Sequence, residues 1–80
     1  MTYTSETAGR PWTNDDDAFL IFYGHCMNLS LGGAPRGYEY VARHDLHREP
    51  ADAIARAHML HTERKEWAAG LERDAEEDWP

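Results

Sequence analysis

The stretch LHREPADAIARAHML, residues 46–60, sets the reading of this chain. Proline disfavours helix in the residue before it, so the chain turns at Glu49, and Pro50, with its fixed φ, fits the first position of a new helix. Beyond it, PADAIARAHMLHTERKEWAAGLERD (50–74) is rich in helix formers and carries Ala53, Ala57, Leu60, Trp67 and Leu71 along one side. The spacing predicts one long helix. Gly70, at a cost of about 1 kcal/mol inside a helix, is the candidate for its end. Upstream, GYEYVARHDL (37–46) sets Tyr38, Val41, Ala42 and Leu46 as the inner side of a short amphipathic helix.

Working further outward, NLSLGGAPRG (28–37) collects Asn, Ser, Gly and Pro and reads as a loop. Before it, PWTNDDDAFLIFYGHCM (11–27) has the marks of a helix start: Thr13 as N-cap, Trp12 as a hydrophobic staple, and three aspartates where the helix dipole favours negative charge. A first helix is predicted from Asn14. Phe19, Phe22, Tyr23 and Cys26 share one face of it, and Leu20, Ile21 and Met27 widen the apolar surface. No β-rich run is present. The fold expected is all-α with three main helices: a loose N-terminus over 1–11, a tri-helical domain over 12–71 and an acidic tail over 72–80.

Eighty residues form one domain with a simple core. The longest apolar run, AFLIFY, is far short of the roughly 20 residues that cross a bilayer, so no membrane role is expected. The single Cys26 cannot form an internal disulfide and the polar opening MTYTSETAGR does not read as a secretory signal; a cytoplasmic setting is predicted. The net charge of −7 is unevenly spread: −3 over residues 1–35, +1 over 36–65 and −5 over 66–80. Four of the five histidines, His44, His47, His58 and His61, lie in the middle segment. Each pair has i, i+3 spacing, suited either to metal ligation or to sensing pH, since protonating all four would move that segment from +1 to +5.

Catalysis has little to rest on. His25 and Cys26 are adjacent, so on a helix their side chains diverge by about 100° and do not form a nucleophile–base pair. GGAPRG lacks the Gly-x-x-x-x-Gly-Lys spacing of a phosphate cradle. Neither enzyme activity nor a cofactor is expected.

Taken in order, PWTNDDDAFL, YEYVARHDL and HREPADAIARAHML resemble the Myb/SANT-like helix-turn-helix family over residues 11–61, with the Trp-Thr opening, the Arg-x-Pro turn and the Ala-Ile-x-Arg-x-x-x-Leu spacing occurring together. The resemblance implies a third helix lying in the DNA major groove, with Ala51, Asp52, Ala55, Arg56 and Met59 near base edges and Arg43, Arg48 and Arg64 near phosphates. A dimer on duplex DNA is the form this function would take. Six cations in the middle segment are offset by five acids, however, which predicts weak phosphate affinity.

The acids offer a different surface. Asp15, Asp16 and Asp17 cluster at one end, and Glu72, Asp74, Glu76, Glu77 and Asp78 at the other, where carboxylates oppose the dipole of a helix C-terminus. Two acidic patches on a small rigid body suit a protein partner, the basic channel of a nucleic-acid-binding complex. By size and charge the chain is similar to small phage-type anti-CRISPR inhibitors. A homodimer through the apolar side of the first helix, centred on Phe22, is a third expectation.

Overall fold

The computed structural model describes residues 11–78, which fold as four helices with no strand among them. The expected loose N-terminus before Pro11 and the last two residues of the expected acidic tail fall outside the described residues. The first helix, α1, spans Asn14–Leu31. Its start is as the sequence indicates: the Thr13 Oγ1 accepts from the Asp16 N–H at 3.1 Å, and the Thr13 N–H donates to Asp16 Oδ2 at 3.2 Å, a reciprocal capping box. Trp12 does not staple the helix. The position it would contact is occupied by Asp17, and Trp12 instead lies under the guanidinium of Arg48, 4.1 Å from the ring centroid.

The end of α1 comes later than expected, because Asn28–Leu31 complete another turn rather than opening the loop. Gly32, at φ 95°, supplies the left-handed residue that stops the helix, and both its N–H and that of Gly33 donate to the Asn28 carbonyl. The Asn28 side chain has a distant use: its Oδ1 accepts from the Gly37 N–H at 2.6 Å and joins α1 to the second helix, α2, Arg36–Val41. A Cβ on Gly37 would run into the Asn28 backbone and the Gly24 carbonyl, and one on Gly24 would sit 2.7 Å from the Tyr38 ring. Backbone thus packs on backbone where α1 and α2 cross.

From α2 the chain widens into a π-helical turn, Ala42–Leu46, closed by His47 at φ 53°, and Arg48 N–H donates back to the Ala42 carbonyl. Pro50 opens α3, Pro50–Glu63, as predicted. The long third helix is the main correction. At Arg64, φ −127° and ψ 46°, the chain breaks and restarts as α4, Lys65–Asp78. The residue there is neither Gly nor Pro; its guanidinium covers the Trp67 ring at 3.9 Å and donates to Asn14 Oδ1 at 3.2 Å, which pins the corner to the start of α1. Gly70 ends nothing and lies inside α4, and Glu72–Asp78, expected as a tail, continue the same helix.

Tyr38, Val41, Ala42, Ala53, Ala57 and Leu60 are buried as their spacing predicts, with Leu46, Trp67 and Leu71 packed half-buried against them. The inner face of α1 differs from the expected one. Asp17, Leu20, Ile21, Gly24 and Asn28 face the core at spacings of three, one, three and four, whereas Phe19 and Tyr23 stand 39% and 38% exposed with ring centroids 5.2 Å apart. Cys26 is buried, its thiol 3.9 Å from the Ala75 carbonyl, and Phe22 is half-buried. Ala42, Ala53, Ala57, Ala68 and Ala75 fill much of the interior, so the helices approach closely around few large side chains.

Candidate functional site

Arg48, Arg56 and Arg64 converge on the N-terminal end of α1. Asp17 occupies the inner face of that helix and is only 2% exposed, and a carboxylate there requires a partner. Arg56 supplies it in a two-pronged arrangement, Nε to Oδ1 and Nη2 to Oδ2, both at 2.8 Å. The hydrogen bonds that Arg56 donates to Asp17 raise the guanidinium pKa above its ordinary value, against the opposing effect of burial. Arg64 lies 3.9 Å from the same carboxylate. Arg48 is buried beside Trp12, with Nη2 3.4 Å from both Asp16 Oδ2 and the Pro11 carbonyl oxygen.

This arrangement decides what α3 presents. Of the residues the resemblance placed near DNA, Ala51, Asp52 and Ala55 are exposed on the first turns of α3, Met59 is half-buried against the core, and Arg56 turns inward to Asp17. Arg48, Arg56 and Arg64 form a layer against α1, while Arg43 is exposed on the π-helical turn. The outward surface of α3's first turns is therefore small, apolar and acidic.

The acids divide three ways. Asp16 and Asp17 face arginines. Glu72 and Glu76, one turn apart on α4, face His25 of α1, and Glu72 also faces His61 of α3. Asp15, Asp74 and Glu77 are exposed, and Asp78 closes α4. On α4, Glu66, Asp74 and Glu77 fall at helical spacing on the side away from Ala68 and Ala75. On α1, Asp15, Phe19 and Tyr23 recur every four residues and form one exposed acidic and aromatic ridge.

The histidine pairs separate. His44 stacks on Tyr40 at 4.3 Å between centroids, His47 occupies the left-handed turn, His58 is exposed, and His61 turns toward Glu72. His25, outside both pairs, also reaches α4; its signal in the sequence is its place beside the inner face of α1. Among the described residues no group of His, Cys, Asp and Glu converges as a metal site. No described helix is long and apolar enough to cross a membrane. The chain matches no family model, no curated protein and no solved structure.

Proposed function

We propose that this protein acts by contact with another protein, a basic component of a nucleic-acid-binding complex, as an acidic inhibitor or adaptor of the phage-type, anti-CRISPR-like kind. The observation that carries the reading is the internal use of Arg48, Arg56 and Arg64. Duplex affinity comes from several cations reaching phosphates, and these three are held against α1 carboxylates and Asn14. Outward lie the Asp15–Phe19–Tyr23 ridge and the Glu66, Asp74 and Glu77 side of α4, with Arg36, Arg43, Lys65 and Arg73 as the exposed cations among the described residues. Exposed aromatic side chains beside an acid form the type of surface that concentrates binding energy while acids steer a cationic partner.

The experiment is a competition. A guide-loaded CRISPR effector complex is mixed with its labelled target duplex and increasing amounts of this protein. The proposal expects displacement of the duplex, weakened by Phe19→Ala with Tyr23→Ala and, separately, by Asp74→Lys with Glu77→Lys. Unchanged duplex binding at saturating protein counts against this partner class. The competing reading is a Myb/SANT-like domain that places α3 in the major groove, favoured by Pro50 opening α3 after a tight turn. It expects direct duplex binding, and a homodimer through α1 expects a doubled mass that Phe22→Glu abolishes.

A further inference from the structure

Three helices meet at a cluster of two imidazoles and two carboxylates. His25 Nδ1 lies 3.5 Å from Glu72 Oε2, and His25 Nε2 lies 3.1 Å from Glu76 Oε1. His61 Nδ1 lies 2.7 Å from the Ala57 carbonyl oxygen, and its Nε2 lies 2.9 Å from Glu72 Oε2. All four ring nitrogens thus face oxygens, and a carbonyl or an ionised carboxylate can only accept. A neutral imidazole carries one N–H. If His61 donates from Nδ1 to Ala57, its Nε2 lone pair confronts Glu72, and His25 meets the same conflict between Glu72 and Glu76. Only the imidazolium form donates at both nitrogens. The His25, Glu72 and His61 side chains are 18%, 26% and 35% exposed and that of Glu76 is 59% exposed, so water competes mainly at Glu76.

We propose that His25, His61, Glu72 and Glu76 form a proton-operated clasp, in which protonation of both imidazoles fastens α4 to α1 and α3 and loss of those protons loosens it. The other groups facing the cluster do not supply the switch. From α2, the buried Tyr38 phenol is pushed up by burial first and then by the Glu72 charge, against the lowering effect of its Asn28 hydrogen bond, so it stays neutral while histidines titrate. From α1, Cys26 is buried at the Ala75 carbonyl; on α4, Arg73 and Glu77 flank the cluster exposed; on α3, His58 is exposed one turn before His61.

The direction follows from linkage. The folded chain offers the imidazolium forms partners that the unfolded chain lacks, so it binds more protons and stability falls as pH rises through the histidine range. The clasp is independent of which partner the protein binds. Urea unfolding of the full chain at about pH 6 and about pH 8, at fixed ionic strength, should show the folding equilibrium constant falling about tenfold. In His25→Gln with His61→Gln the change should shrink below about twofold, because the exposed His44, His47 and His58 remain. Should that variant not fold, Glu76→Gln removes one exposed contact, and nitrogen NMR of the unaltered protein at about pH 7, where an ordinary imidazole is mostly neutral, reads the rings directly. Both nitrogens of His25 and of His61 protonated supports the clasp. Singly protonated rings at that pH, or a wild-type stability that is flat or rises toward pH 8, overturns it.

Discussion

The two ionic clusters of this molecule hold α1 to its neighbours with different chemistry. At the N-terminal end, Asp16 and Asp17 meet Arg48, Arg56 and Arg64, whose guanidinium groups stay charged at any physiological pH. Further along, His25 and His61 meet Glu72 and Glu76, where the positive charge depends on the solution. The first joins the turn and α3 to α1 permanently; the second joins α4 conditionally. One small core, rich in alanine, is thus held by fixed charge at the start of α1 and by titratable groups further along it.

The comparison breaks most severely at Asp17. Asp17→Asn leaves the Arg56 charge without its partner at a nearly dry position and should cost about 3 kcal/mol in urea unfolding, the same at about pH 6 and about pH 8. A pH-dependent loss there would erase the distinction between the clusters. Arg56→Lys keeps the charge but gives up the two-pronged geometry, and a loss of about 1 to 2 kcal/mol is expected in the same assay. Glu72→Gln addresses the second cluster, since this one carboxylate serves both imidazoles; a loss of about 1 kcal/mol at about pH 6, shrinking toward zero at about pH 8, is the predicted outcome. The smallest effect is a gain. A Cβ at Gly70 meets nothing within 4 Å, so Gly70→Ala should stabilise α4 by about 0.5 to 1 kcal/mol at either pH, separating helix propensity from the clasp.

What was legible in the sequence was local. Thr13 with Asp16 signals the start of α1, and Pro50 signals the start of α3, because caps and proline act within a turn. The aromatic residues of α1 misled the choice of its inner face: Phe19 and Tyr23 outweigh Gly24 and Asn28 in hydrophobicity, yet the core needs small residues where α2 crosses. Asp17 carried a usable signal, since it shares the helical phase of Leu20, Ile21 and Gly24, and an acid on a core face demands a cation. Its partner, 39 residues away, was not legible. Neither was the break at Arg64, which is fixed by contacts to Asn14 and Trp67 and not by any breaker residue. For the same reason His25, Glu72 and Glu76, up to 51 residues apart, could not be grouped by spacing.

Arg48, Arg56 and Arg64 are used within the fold, and the reading that rests on them is an acidic surface left for a protein partner. The most direct test is titration of the purified chain with labelled random-sequence duplex DNA at about pH 7.5, across roughly 50 to 200 mM salt. No saturable binding is expected at low micromolar protein at any salt in that range. Low-micromolar binding that weakens steeply with salt, and that Arg43→Ala or Arg56→Ala diminishes in a folded protein, would contradict it.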